Sequence, residues 1–91
     1  MNESTVSTPA SFSVDIIYNG VEKPLSHVEL QQQVTSIFQR SLQLFDVRDR
    51  QHVYALFTLG GQEIANNQTV QAAGIGPGSK LLLREKMVSG G

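Results

Sequence analysis

The sequence contains no cysteine, and its apolar runs are only a few residues long. Without cysteine the chain can have no disulfide, no thiolate metal site and no cysteine nucleophile, which fits the cytoplasm. Runs such as Leu81-Leu82-Leu83 are far shorter than the about 20 apolar residues that a membrane-spanning helix needs. We therefore expect a cytoplasmic protein with no membrane partner.

The chain also has no large excess of either positive or negative charge. Seven basic and eight acidic residues are spread along the chain and give a net charge of −1. No basic stripe is available to neutralise phosphates, so nucleic acid is not expected as a partner. The first residues, Met1 to Thr5, lack the basic start and apolar stretch of a secretory signal peptide.

The 91 residues are enough for one domain with a modest core. Residues 1–11 are small and polar and predict a disordered arm. The pattern of a folded domain covers residues 12–86, and residues 87–91 predict a flexible tail that ends in Gly-Gly.

The first half of the domain predicts a hairpin followed by a helix. Apolar residues alternate from Phe12 to Tyr18 as in a half-buried strand, and Asn19-Gly20 is a strong signal for a type I′ turn. Val21 to Leu25 is the return strand, which Pro24 places at a sheet edge. Ser26-His27-Val28-Glu29 matches a capping box, and apolar residues at helical spacing follow, so we predict a helix from His27 to Leu44.

The second half predicts three strands and one helical turn. The expected strands are His52–Leu59, Gln62–Ile64 and Lys80–Glu85, with a single helical turn over Thr69–Gly74 and a Gly76-Pro77-Gly78 loop. The order ββαββ, helical turn, β indicates an α+β fold in which the helix covers one face of a mixed sheet of four to five strands. The last strand is expected beside the first.

Alternation along the later strands predicts which side chains face the helix. Ala55, Phe57, Leu59, Leu81 and Leu83 are expected to point inward. The opposite face would then carry a candidate partner surface made of Tyr54, Leu56, Thr58, Leu82 and Arg84. Scattered surface leucines are common, so these residues are also compatible with an ordinary surface.

No arrangement of side chains indicates catalysis, so the chain is not expected to be an enzyme. His27 and His52 lie in different elements and have no clustered carboxylates, so neither a metal site nor a bound cofactor is expected. Ser26 is interpreted as a helix cap because no base is placed to activate it. Both histidines are expected to be ordinary surface residues.

The reactive group is instead expected at the end of the chain. Neither Gly90 nor Gly91 has a Cβ, so this backbone can enter a narrow tunnel and present the Gly91 carboxylate to ATP held by another enzyme. A cloning remnant or a truncation is the competing explanation for two terminal glycines.

Residues Gly61 to Ile75 resemble the stretch of ubiquitin in which a glycine turn, a short apolar strand, a polar turn, a threonine and an isoleucine recur at the same spacing. Ser79 to Leu83 falls where the last strand of ubiquitin begins, and a basic residue and Gly-Gly follow. The chain is therefore similar to ubiquitin-like β-grasp proteins over about residues 12–91. Among them it looks most like the bacterial modifiers encoded beside conjugation enzymes.

This resemblance implies a protein modifier that other enzymes act on. Gly91, with Gly90 before it, would be adenylated by an activating enzyme that uses ATP, passed through a thioester on a conjugating enzyme, and joined to target proteins by an isopeptide bond. A processing or deconjugating protease would be a further partner. Recognition by the activating enzyme would involve Lys86, Met87, Val88 and Ser89. Two alternatives remain open: a sulfur carrier ending in a thiocarboxylate, and a noncovalent interaction module.

The chain also departs from ubiquitin. Asn19, Thr58 and Arg84 stand where ubiquitin has the aliphatic residues of its partner-binding patch, so the usual receptors are not expected to bind. Gln62 and Pro77 replace its two most used linkage lysines, and homotypic chains of the ubiquitin kind are not expected.

Overall fold

The computed structural model describes residues 11–86, in which one helix packs on one face of a five-stranded mixed sheet. The elements in chain order are β1 (Phe12–Tyr18), β2 (Val21–Val28), α1 (Val34–Leu44), a 3-10 turn (Gln51–Val53), β3 (Tyr54–Phe57), β4 (Glu63–Ile64) and β5 (Lys80–Glu85). The strand order is β2-β1-β5-β3-β4, with β5 parallel to β1 and antiparallel to β3. The predicted fold class and the placement of the last strand beside the first are confirmed. The predicted arm, apart from Ser11, and the predicted tail lie outside the described residues.

The first hairpin forms as predicted. Asn19 and Gly20 both have positive φ, 51° and 78°, as the two central positions of a type I′ turn require. Pro24 lies in β2, and β2 is an edge strand, so the missing backbone donor of proline is tolerated there.

The predicted capping box is wrong, because its residues belong to β2. Ser26 and His27 continue that strand to Val28, and a β-bulge with His27 at φ 59° shifts the register against β1. The guanidinium of Arg40, on α1, donates to the carbonyl oxygens of both residues. The arginine therefore binds the backbone of this segment in its extended form, and a strand replaces the first predicted turns of helix.

The helix consequently begins at Val34 rather than His27. Its first N–H groups are satisfied by a distant loop: the N–H of Val34 donates to the Gln68 carbonyl at 2.8 Å and that of Thr35 to the Asn66 carbonyl at 3.3 Å. Leu30, predicted on the helix, is exposed in the turn that precedes it. A contact made by a distant segment, invisible to local pattern, sets the start of α1.

The predicted helical turn near residue 70 is confirmed and ends in a Schellman motif. The N–H of Ile75 donates to the carbonyl of Val70 and that of Gly74 to the carbonyl of Gln71, while Gly74 has φ 78°. Val70 and Ile75 are both buried, so the motif delivers Ile75 to the core as predicted.

The core lies between α1 and the inner face of the sheet. Its buried apolar residues are Val14, Ile16, Leu25, Val28, Val34, Ile37, Phe38, Leu42, Leu56, Ile64, Val70, Ile75, Leu81 and Leu83. The third strand is shorter than predicted, because the 3-10 turn precedes it and a turn closed by Thr58 and Gly61 follows it. Within residues 11–86 no helix is long and apolar enough to cross a membrane.

Candidate interaction site

The tail predicted to carry the chemistry follows β5 in the sequence, and β5 is the central strand of the sheet. β5 pairs with β1 on one side and with β3 on the other. Immediately after β5, the backbone N–H of Lys86 donates to the carbonyl oxygen of Val53 at 2.7 Å. This bond fixes the backbone of Lys86, the last residue that the structure describes. The remaining predicted tail residues, Met87, Val88, Ser89, Gly90 and Gly91, lie outside the described residues.

The sheet face opposite α1, here called the open face, has an apolar centre. Leu82 of β5 pairs with Ile17 of β1 on one side and with Phe57 of β3 on the other, so the three side chains share this face. Leu82 and Ile17 are half-buried, whereas Phe57 is only 3% exposed. Because α1 lies on the other face, neighbouring side chains of the sheet itself must cover this ring.

Arg84 supplies the cover. Its guanidinium carbon lies 4.4 Å from the centre of the Phe57 ring, within the range of a cation–π contact. Gly61 lies beside this arginine, since a Cβ added there would stand 3.7 Å from its Nη2 atom, in ordinary van der Waals contact. Among residues 11–86, no carboxylate lies within ion-pair distance of Arg84. The open face therefore presents a cation with an aromatic partner and no anionic one.

The other end of the open face is a charged cluster. The Nζ atom of Lys80 lies 2.5 Å from Glu22 Oε2 and 3.4 Å from Asp15 Oδ2. The hydrogen bond that Lys80 donates to Glu22, followed by the charge of that carboxylate and the contact with Asp15, raises the pKa of Lys80 above its ordinary value. The lysine is thus held as a cation between two carboxylates.

The predicted partner surface requires correction, because the inward and outward residues of β3 are exchanged. Leu56 is fully buried beneath α1, where it pairs with Leu83, while Ala55 and Phe57 face the open side. Tyr54 packs against the core and Thr58 closes the turn after β3. Of the predicted set Tyr54, Leu56, Thr58, Leu82 and Arg84, only Leu82 and Arg84 lie together on the open face within a strand.

Leu59 is a second correction. Predicted to point inward, it is 60% exposed, because β3 ends at Phe57 and alternation no longer applies in the turn. It borders a shallow groove of about 380 Å³ whose apolar walls include Ile64, Ala73 and Ile75.

An aromatic cluster at the end of the sheet is absent from the sequence-based prediction. The rings of Tyr18 and Phe45 are 5.3 Å apart and those of Tyr18 and Tyr54 are 6.2 Å apart. The hydroxyls of the two tyrosines are 3.5 Å apart, and this hydrogen bond, with burial, raises the pKa of Tyr54. The Nζ atom of Lys23 lies 5.1 Å from the centre of the Phe45 ring. Phe45 follows the helix and Tyr54 opens a later strand, so no local pattern unites them.

The histidines are exposed, as predicted, but not where they were expected. His27 lies at the bulge of β2 and His52 in the 3-10 turn rather than at the start of a strand. In the described part of the chain, no group of three or more histidine and carboxylate side chains is arranged to hold a metal ion.

No family model matches the chain, and no curated protein matches it. Solved structures do. A protein designed on the basis of ubiquitin superposes with a TM-score of 0.74 at 16% identity, covering 92% of this chain and 99% of that one. The ubiquitin of Caldiarchaeum subterraneum gives a TM-score of 0.68 at 16% identity, covering 88% of this chain and 99% of the other. The chain has the ubiquitin-like β-grasp fold.

The same fold is also similar to the ubiquitin-like domain of EccD5 from Mycobacterium xenopi, with a TM-score of 0.71 at 14% identity over 89% of this chain and 100% of that one. All three identities are low, so the likeness concerns the backbone. The comparisons therefore establish the fold, and a function must be inferred from the side chains of this chain.

Proposed function

We propose that the chain is a protein modifier joined to other proteins through the Gly91 carboxylate. The observation that carries the proposal is the order of the chain: the central strand β5 of a ubiquitin-like fold ends at Glu85, and Lys86 and then Met87-Val88-Ser89-Gly90-Gly91 follow it. Lys86 is tied to Val53, so these residues start from a fixed point on the fold. The proposal holds whether the chain is made with Gly91 at its end or is cut there by a protease.

The chemistry belongs to partner enzymes, and the chain itself is not a catalyst. A carboxylate is a poor acyl donor because its oxygen is a bad leaving group. An activating enzyme would join the carboxylate to AMP from ATP, a cysteine would displace AMP to give a thioester, and a lysine amine of the target would displace the thiolate to give an isopeptide bond. We place this pathway in the cytoplasm. It would be a bacterial pathway in which the modifier is encoded beside its conjugation enzymes. A deconjugating protease would reverse the last step.

A noncovalent role is the second candidate, because the fold that this chain shares with the ubiquitin-like domain of EccD5 does not by itself require a reactive chain end. In that role the open face around Leu82 and Arg84 would be the binding surface and Gly91 would be dispensable. The sulfur carrier is the third candidate, since it would use the same adenylation and end as a thiocarboxylate.

An epitope-tagged chain incubated with ATP in extract of its native host tests the proposal. We expect covalent adducts of higher mass that survive a thiol reductant, and none from the variant lacking Gly91. The deletion should leave the circular dichroism spectrum unchanged, because the helix and strands of the described residues all lie before Lys86. Sulfur in place of oxygen at the end of the intact chain, without adducts, would establish the carrier instead. An unmodified carboxylate throughout would favour the noncovalent role.

A further inference from the structure

The three lysines of the chain, Lys23, Lys80 and Lys86, have different surroundings. The ammonium of Lys80 is bracketed by Glu22 and Asp15, and that of Lys23 lies over the Phe45 ring. Lys86 is exposed, and within residues 11–86 its side chain makes no ion pair, hydrogen bond or ring contact. One lysine is therefore held by two carboxylates, one by an aromatic face, and one by neither.

These differences matter for acylation, because only the neutral amine has a lone pair that can attack a carbonyl carbon. Nearby carboxylates favour the ammonium form, and they also restrain the side chain. The contact of the Lys23 ammonium with the Phe45 ring also restrains its side chain, but more weakly at this exposed site. Lys80 should consequently be the least reactive of the three amines, and Lys86 the most reactive.

We propose that Lys86 is the lysine at which this chain accepts an acyl group, and that Glu22 and Asp15 protect Lys80 from the same reaction. In this step the neutral Nζ of Lys86 attacks the carbonyl carbon of a thioester on an enzyme cysteine. The C–N bond forms, the C–S bond breaks, the thiolate leaves, and the proton lost by the amine passes to water. That the acyl group is the tail of a second copy rests on the proposed function, whereas the order of reactivity does not. A linkage at Lys86 would differ from the chains of ubiquitin, since Gln62 and Pro77 replace its two most used linkage lysines.

A limiting dose of an N-hydroxysuccinimide acetate ester tests the order directly. Mass spectrometry would follow acetylation of each lysine in the folded chain and in concentrated guanidinium chloride, where the local environments are lost. Relative to the unfolded chain, we expect Lys86 to react at a similar rate, Lys23 about twofold more slowly and Lys80 about three- to tenfold more slowly. Protection of Lys86 as strong as that of Lys80 would overturn the proposal.

Variants identify the cause. Glu22→Gln combined with Asp15→Asn should bring Lys80 to within about twofold of its unfolded rate and leave Lys86 unchanged. Asp49→Asn is the matched control, because this exposed carboxylate has no ion pair within residues 11–86, and no lysine should respond to it. Protection of Lys80 that persists in the double variant would contradict the role given to the carboxylates.

A conjugating extract tests the acceptor itself. Acylation of Lys86 by another copy blocks tryptic cleavage there, so digestion should leave residues 85–91 with a second Met87-Val88-Ser89-Gly90-Gly91 remnant on Lys86. The remnant on Lys80 instead would overturn this inference while supporting conjugation. No remnant anywhere, with the reagent order as expected, would overturn the proposed function and leave the reactivity of the lysines established.

Discussion

The guanidinium of Arg84 lies over the ring of Phe57 on the side of the sheet that has no helix. The guanidinium carbon is 4.4 Å from the ring centre, and the ring is 3% exposed. On this face the guanidinium covers an aromatic ring, whereas on the other face the helix α1 covers the side chains of the sheet. The open face is consequently less apolar to an approaching partner than its residues Leu82, Ile17 and Phe57 alone would make it.

Removing this cover should have a modest cost. We expect Arg84→Ala to lower the free energy of unfolding by about 0.5–1 kcal/mol, through loss of the cation–π contact and of the arginine stem over the ring. Urea denaturation would measure it. Arg48→Ala is the control, because Arg48 only pairs with Asp46 at an exposed site and should change stability by less than about 0.5 kcal/mol. Equal effects of the two substitutions would contradict the covering role.

The corrected alternation of β3 makes a sharp prediction for two leucines three residues apart. Leu56→Ala should lower the free energy of unfolding by about 2–5 kcal/mol, because Leu56 is fully buried against Leu83 and the core. Leu59→Ala should change it by less than about 0.5 kcal/mol, because Leu59 is 60% exposed. The same denaturation experiment compares them, and a larger cost at Leu59 would restore the original assignment of faces.

Two nearby glycines should respond differently to alanine. Gly74 has φ 78° at the end of its helical turn, so Gly74→Ala should cost about 1 kcal/mol in backbone strain. A Cβ at Gly76 would also meet nothing within 4 Å, but Gly76 has no positive φ, so Gly76→Ala should be neutral or slightly stabilising. Thermal unfolding of the two variants isolates the conformational term, and equal melting temperatures would contradict it.

Alkaline pH should destabilise the fold. The hydrogen bond with Tyr18 raises the pKa of Tyr54 above its ordinary 10.0, and that with Glu22 raises the pKa of Lys80 above its ordinary 10.5. In both cases the folded state holds the proton more tightly, so the stabilisation is complete below these ordinary values and is lost as pH rises through the raised ones. Stability should decline above about pH 10 and decline less steeply in a Tyr54→Phe, Glu22→Gln double variant. A profile with unchanged slope in that variant would assign the decline to other groups.

Local chemistry was sufficient to predict part of this fold. The bounds of β1 and β5, the Asn19-Gly20 turn and the Gly74 terminus each follow from residues adjacent in sequence. A strand is indicated by alternating apolar residues, a type I′ turn by two neighbouring residues that can adopt positive φ, and a helix end by a glycine. Each signal involves only a few neighbouring residues, so it can be recognised directly in the sequence.

The missed features depend on partners far away in sequence. Ser26 has the spacing of a helix cap, yet Arg40 and the bulge at His27 keep it in β2, and loop carbonyls start the helix later. On β3 every residue from Val53 to Phe57 is apolar or aromatic, so alternation could not tell the two faces apart. Pairing with β5 places Leu56 on the helix side beside Leu83, and it places Phe57 on the other side, where Arg84 lies over the ring.

The central claim is that Gly91 forms isopeptide bonds with other proteins. The most direct test is mass spectrometry of tryptic digests from native-host cells that express the tagged chain or the variant lacking Gly91. The account predicts lysines of other proteins carrying a Met87-Val88-Ser89-Gly90-Gly91 remnant in the first sample and none in the second. A full search of the first sample that recovers the chain but no such remnant would contradict it.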